Sequence, residues 1–254
     1  MILKQKTTHS KNLSDQSTQL ALALNNKIIA CSKCTRLRQH CVAVANGSSL
    51  PRKAFSEEIK NGLYWQKPVP DFGTSPASIL VVGLAPAAHG ANRTGRMFTG
   101  DDSGKWLYRA LHKAGLAKSS GYQRADDNEL IDTCITAVAH CAPPENKPTI
   151  QEIANCRAFL KTRFVISQPK VVLALGSIAW KASIEVLTKE MGCEKPRPVP
   201  TFSHLAKVEF LRTSESLSSI HLVGSYHPSR QNTNTRRLTE PMFDAAFELV
   251  NQLR

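Results

Sequence analysis

The sequence predicts an α/β sandwich built on a mainly parallel sheet, and three observations carry this. Four short apolar runs recur along the chain, amphipathic segments separate them, and three of the four stretches leaving their carboxyl ends are unusually polar. Parallel sheets are covered on both faces, so their strands read as continuous apolar runs rather than alternating ones.

The runs are "SILVVGL" at 78–84, "IDTCITAV" at 131–138, "KVVLALG" at 170–176 and "IHLVGSY" at 220–226. Each is rich in β-branched or small apolar residues and too short for a buried helix. Helix-like segments follow them. "GKWLYRALHKAG" (104–115) puts Trp106, Leu107, Ala110, Leu111 and Ala114 on one face. "IQEIANCRAFLKTRFVI" (150–166) follows a Pro-Thr start, "SIAWKASIEVLTKEMG" (177–192) ends at glycine, and "EPMFDAAFELVNQL" (240–253) closes the chain. Such boundaries match ordinary helix start and stop chemistry. Alternation of strand and helix gives the fold class. The first thirty residues read as a polar extension ending in a short helix, "STQLALALNN". Residues 35–76 read as irregular, with an edge segment "GLYWQKPVPDFG" at 62–73. The expected organisation is that extension, 1–30, and a single domain, 31–254.

A chain of 254 residues with 41% apolar content can bury a full core, which excludes wholesale disorder. No apolar run reaches membrane-spanning length, and the N-terminus lacks a secretory signal, so a cytoplasmic monomer without membrane contact is expected. The net charge of +13 is spread along the chain, with +3 on residues 1–30, +4 on 31–75 and +6 on 76–254. Basicity throughout points to a polyanion meeting the folded body, with solubility charge as the bland alternative.

In an open parallel sheet, ligands gather outside the carboxyl ends of the strands. The segments leaving these ends are "APAAHGANRTGRMFTGDDSG", "AHCAPPENKP", "GSIAW" and "HPSRQNTNT". The last, at 227–235, has no large apolar side chain and offers an imidazole, a guanidinium, hydroxyls and amides. Taken alone it is a solvated loop; converging with the others, it becomes part of a site.

Seven cysteines in a chain without an export signal argue against structural disulfides. Cys31-x2-Cys34 can chelate one centre from a tight turn, and Cys141 and Cys156 can face the same point from a rigid loop and the helix after it. Spacing leaves zinc and an iron–sulfur cluster both open. Cys134 reads as a small core residue, and Cys41 and Cys193 as unligated. "GDDSGK" (100–105) has the wrong spacing for a phosphate loop, and neither a dinucleotide fingerprint nor a zinc-deaminase pattern is present.

Three long motifs, "GLAPAAHGANRTGRMFTGD" (83–101), "CAPPENKPT" (141–149) and "YHPSRQNTNT" (226–235), together resemble the iron–sulfur uracil-DNA glycosylases, in particular their B-type branch, or family five. The resemblance covers residues 31–254. It implies a three-layer α/β/α sandwich around a four-stranded parallel sheet, and a structural [4Fe–4S] cluster on Cys31, Cys34, Cys141 and Cys156. It also implies removal of uracil, and of other deaminated bases such as hypoxanthine or xanthine, from DNA. Where the wider superfamily carries an Asp or Asn, this chain has Ala85, so the carried-over acid is Asp101. His227 is the implied donor to the departing base; Phe98 stacks on it and Asn146 bonds it, with Gly83, Ala85, Pro86 and His89 completing the substrate set. Ser229, Arg230, Gln231, Asn232 and Asn234 are implied to meet DNA. A capping Asp101, a core Phe98 and a turn-forming Asn146 are the structural alternatives. Where the family has glycine after "TNT", this chain has Arg236. The motif loops offer no obvious nucleophilic lysine to form a Schiff base, which implies a monofunctional glycosylase. The rival readings are a non-catalytic iron–sulfur protein that binds damaged or single-stranded DNA and a small-molecule nucleoside hydrolase.

Overall fold

The computed structural model describes residues 2–47, 63–213 and 219–254, with side chains from Asp15 onward. The irregular reading of 48–62 lies outside the described residues. In chain order the elements are α1 (Ile2–Ile29), α2 (Thr35–Ala45), β1 (Phe72–Gly73), β2 (Ile79–Gly83), α3 (Ala91–Thr94), α4 (Asp102–Lys113) and β3 (Thr133–Ala137). After a 3-10 turn (Pro144–Asn146) come α5 (Ile150–Ser167), β4 (Val171–Leu175), α6 (Ser177–Lys189), β5 (Lys207–Phe210), β6 (Ile220–Ser225), α7 (Arg230–Asn234) and α8 (Glu240–Leu253).

All four predicted strands form, and they pair in parallel in the order β3-β2-β4-β6. The sheet is nevertheless six-stranded, not four-stranded. Two short antiparallel strands, β1 beside β3 and β5 beside β6, close its edges. They cover the backbone groups that the outer parallel strands would otherwise leave unpaired.

Strand alternation sorts the core into two layers. Ile79, Val81, Ile135, Leu173 and Val223 face α4 and α8, where Leu107, Leu111, Phe243 and Phe247 pack. Leu80, Val82, Cys134, Val172 and Leu222 face α5 and α6, meeting Phe164, Trp180 and Leu187. Cys134 is therefore a core residue, as read from its strand. Arg109 and Lys113 on α4 both bond Asp244 on α8 at 2.5–3.3 Å, fixing one helix against the other.

The N-terminal helix is far longer than the short one expected. Ala21, Leu24 and Ile28 of α1 pack against Ile166 and Phe159 of α5. Asn25 exchanges two 3.1 Å hydrogen bonds with the backbone of Asp71. These contacts cross the boundary drawn at residue 30. Asp71 in turn meets Arg163 at 2.7 Å, and both side chains are buried. No helix among the described residues is long and apolar enough to cross a membrane.

β2 lies between β3 and β4, so the chain reverses its direction of sheet growth there. Such a switch point opens a crevice at the carboxyl end of the strand. Residues 84–101 leave β2 at this place.

Candidate active site

A cavity of about 480 Å³ occupies the crevice. The three polar exits line it. Leu84, Ala85, Pro86, Phe98 and Asp101 come from the segment after β2, Glu145 and Asn146 from that after β3, and His227, Ser229, Arg230 and Gln231 from that after β6. The floor is apolar, with Ala91, Met97 and Ala137 beside Phe98.

Asp101 is the N-cap of α4. Its Oδ1 accepts the backbone N–H of Gly104 at 2.8 Å, a normal cap geometry. The capping alternative is thus true of one oxygen only. The other lies against Gly90, where any Cβ would collide with Oδ2. Gly90 is the residue that lets the carboxylate sit at the cavity wall. Burial pushes the Asp101 carboxyl above the usual range, Asp102 adds to this, and the Gly104 and Ser103 N–H groups and Arg230 oppose it.

Phe98 adopts φ +53, a left-handed conformation that a bulky side chain rarely takes. Its ring lies against Gly83, whose hydrogen leaves the only room for it, and its centroid stands 5.6 Å from the His227 ring. Gly83 therefore shapes the floor from behind rather than lining the cavity. Asn146 is exposed, and both it and Glu145 have positive φ, which breaks the regular 3-10 geometry of the turn and which asparagine tolerates. That turn presents the amide at the rim.

Burial holds His227 down at about 4, so its ring is neutral near pH 7. The residues after it do not form a loose loop. Ser229 caps the short α7 by accepting the N–H of Asn232 at 3.4 Å, and Asn232 Nδ2 donates to the His227 carbonyl at 2.8 Å. Ser229 and Asn232 are thus engaged in positioning His227. Arg230 pairs with Asp102 at 3.3 Å across the cavity mouth, Gln231 lines it, and Asn234 lies outside it. His89 also lies outside, bonded through Nδ1 to the Tyr64 hydroxyl at 3.0 Å.

Arg236 sits at φ +57, so the backbone keeps the turn that glycine would favour and an arginine occupies it. Arg236→Gly should therefore raise stability by about 0.5–1 kcal/mol, the left-handed penalty less the entropy of a more flexible unfolded chain. A urea midpoint that falls in the variant would mean the Arg236 side chain makes a contact worth more than that strain.

The depressed His227 value has a consequence for acid stability. Folding favours the neutral ring, so its contribution is complete above the unfolded value of about 6.5 and is lost as pH falls through about 4. Between pH 7 and pH 5 this amounts to about 2 kcal/mol. His227→Gln should flatten that part of the urea-midpoint profile, and an unchanged slope would assign the acid sensitivity elsewhere.

The cysteine set is drawn from the turn before α2, the segment after β3 and α5. Cys31 and Cys34 are half-buried, and Cys141 and Cys156 are buried. Burial pushes Cys156 up to about 12, with Cys141, Cys34 and Cys31 near enough to add to the rise. Asn155 Nδ2 donates to Cys34 Sγ at 3.4 Å, and the His140 backbone N–H reaches Cys156. Among the described residues no group of three or more His, Cys, Asp or Glu is arranged to hold a single metal ion. Cys41, read as having no partner, is buried against Cys141 and Cys34 and is a fifth thiol beside the set. Cys193 is buried elsewhere, in the layer under α6.

The sequence matches the uracil DNA glycosylase superfamily over residues 70–251. A type-5 uracil-DNA glycosylase of Mycobacterium bovis is 41% identical over 233 residues, which cover 91% of this chain and 80% of that protein. One from Mycobacterium leprae is 40% identical over 233 residues, covering 91% of this chain and 94% of its own. Another, from Thermus thermophilus, is 41% identical over 217 residues, covering 85% and 90%. The match spans the sheet, the crevice and all three motif segments. This chain belongs to the uracil DNA glycosylase superfamily.

Proposed function

We propose that this protein is a monofunctional DNA glycosylase that hydrolyses the N-glycosidic bond of uracil, leaving an abasic site. Hypoxanthine and xanthine are further substrates in this reading. The observation that carries it is the meeting of Asp101, His227, Phe98 and Asn146 at one cavity. The names of the relatives supply the base and the polymer. Ala85, Ala87, Ala91 and Ala137 along the walls leave breadth for a purine.

Cleaving this bond builds positive charge on the sugar and negative charge on the departing base. A base swung out of the helix stacks on Phe98 and bonds the Asn146 amide. The neutral His227 ring donates an N–H to a base oxygen as charge develops there, without the cost of a buried imidazolium. Asp101 stabilises the sugar and orients the attacking water through the oxygen not used in capping. Preorganised groups of this kind act where charge appears, in a site that excludes bulk water.

The four cysteines Cys31, Cys34, Cys141 and Cys156 fit a [4Fe–4S] cluster. They offer four thiolates, two of them buried, with N–H donors at Cys34 and Cys156. A cluster several atoms across asks for a wider set than one ion does. Bound there, it would cross-link the α2 arm to the segment carrying Asn146. Arg36 on that arm already bonds Glu152 at 2.7–2.8 Å and the Lys147 carbonyl at 3.2 Å.

The test is incubation with labelled oligonucleotides holding uracil, hypoxanthine, xanthine or no lesion, each read before and after alkali. Strand breakage at uracil only after alkali is expected. A protein that releases none of the three bases would overturn the catalytic reading in favour of a binding protein.

A further inference from the structure

We infer that a second cavity, behind Asp101 and outside the base cavity, binds the phosphodiester and base of a nucleotide next to the one being cleaved. This rests on the glycosylase reading and adds a subsite to it. The second cavity measures about 550 Å³ and shares Ala87, Asp101, Asp102, Asn146 and Arg230 with the first. The two are therefore neighbours across a common rim, not separate sites.

Their chemistry differs. The base cavity is floored by alanines, Met97 and Phe98 and holds a single guanidinium. The second adds Arg93 and Arg124, together with His89 and Tyr122. With Arg230 this places three guanidiniums round one opening, against the two carboxylates of Asp101 and Asp102. Guanidinium forks match phosphate oxygens, and a tyrosine ring offers a face on which any base can stack.

The wall is held in place by its own backbone. Arg93 donates to the His89 carbonyl at 3.2 Å and to the Gly100 carbonyl at 3.4 Å. Gly100 N–H donates to the Tyr122 carbonyl at 2.5 Å, tying the Tyr122 segment to the one carrying Asp101. Asp127 accepts the N–H groups of Gln123 and Arg124 at 2.8 and 2.7 Å, which sets the course of that turn. Arg124 itself is exposed and, among the described residues, forms an ion pair with the equally exposed Asp126 at 3.3 Å. An exposed pair of this kind contributes little, so a phosphate can take its place at small cost.

Geometry then fixes which ligand fits. A strand that sends one base into the first cavity must carry its next phosphate over the shared rim. A free mononucleotide has no reason to bridge the two openings. His89, expected to touch the substrate base, belongs to this second wall instead.

The experiment measures binding to oligonucleotides with a central abasic site, the product of the proposed reaction. Single phosphodiesters on either side are replaced, one at a time, by uncharged methylphosphonates. One replacement should weaken binding to the parent protein by about tenfold. Arg124→Ala should weaken binding to the all-phosphate strand by a similar factor, and then lose nothing more at that one position. The salt slope of the variant should also shrink by about 0.9, the loss of one phosphate contact. Equal methylphosphonate penalties in parent and variant at every position would overturn the subsite. A parent that releases uracil while these penalties stay additive loses only the second cavity, whereas one that releases no base loses the glycosylase reading beneath it.

Discussion

Asp101→Asn should slow single-turnover release of uracil by roughly 10²–10³ while changing affinity for the same DNA by less than about threefold. The variant is close to isosteric. An asparagine oxygen can still accept the Gly104 N–H that Asp101 Oδ1 accepts at 2.8 Å, so α4 keeps its cap. What disappears is the negative charge beside the sugar, which matters in the transition state far more than in the bound state. Ala85 carries no carboxylate, and the other acids lining the cavity are engaged elsewhere, Asp102 with Arg230 and the exposed Glu145 with Lys147. Acid dependence provides an independent readout. Since burial raises the Asp101 carboxyl above the usual carboxylate range, the parent rate should fall with pH before an ordinary aspartate would protonate. His227, held at about 4, stays neutral through that window and adds no limb of its own near neutrality. The acid limb should vanish in Asp101→Asn. A variant that cleaves at the parent rate would mean water is positioned by backbone groups and the carboxylate only caps the helix.

Much of this site could be read in the sequence because its exits are tied to strands. Continuous apolar runs located β2, β3, β4 and β6 within two residues, and a parallel sheet places their carboxyl ends on one rim. The edge strands gave no such signal. β1 has two residues, and β5, "KVEF", keeps only Phe210 buried. Helix α2 did carry one, since Leu37, Cys41 and Val44 at spacings of four and three are all buried. Reading that stripe would also have placed Cys41 two turns beyond Cys34, beside the thiol set. Polarity alone misread 227–235 as a loop. Ser229 and Asn232 are polar because α7 needs a cap and the His227 carbonyl needs a donor, uses that only the folded backbone reveals. The direction of a side chain within an exit segment was equally hidden. Gly83 and His89 sit in the same motif as Asp101, yet the first backs the Phe98 ring from the end of β2 and the second turns to Tyr64.

Cys156→Ala should abolish the visible absorbance of the purified protein, reduce about four iron atoms per chain towards zero, and lower stability by more than about 4 kcal/mol. Trimming one buried sulfur in a packed site costs only about 1–2 kcal/mol by itself, so a larger loss measures the missing cluster. The placement of the thiols explains why the effect should reach the active site. Cys141 and Cys156 bracket the segment that carries Glu145 and Asn146, and α5 begins inside that bracket with a Thr149–Glu152 capping box. Arg36, two residues beyond Cys34, grips the same box through Glu152 and the Lys147 carbonyl. Releasing Cys156 frees one end of the bracket and leaves Arg36, the Asn155–Cys34 hydrogen bond and the packing of Cys41 on Cys141 to tie it to the α2 arm. Uracil release should then fall through weaker binding as well as a slower step, unlike the Asp101→Asn pattern. Cys193→Ala is the control, since that thiol is buried in the layer under α6, away from the set. It should keep its iron and colour. One zinc and no iron in the parent, or full iron retained in Cys156→Ala, would remove the cluster from these four residues and leave Arg36 and Glu152 as the principal link across the site.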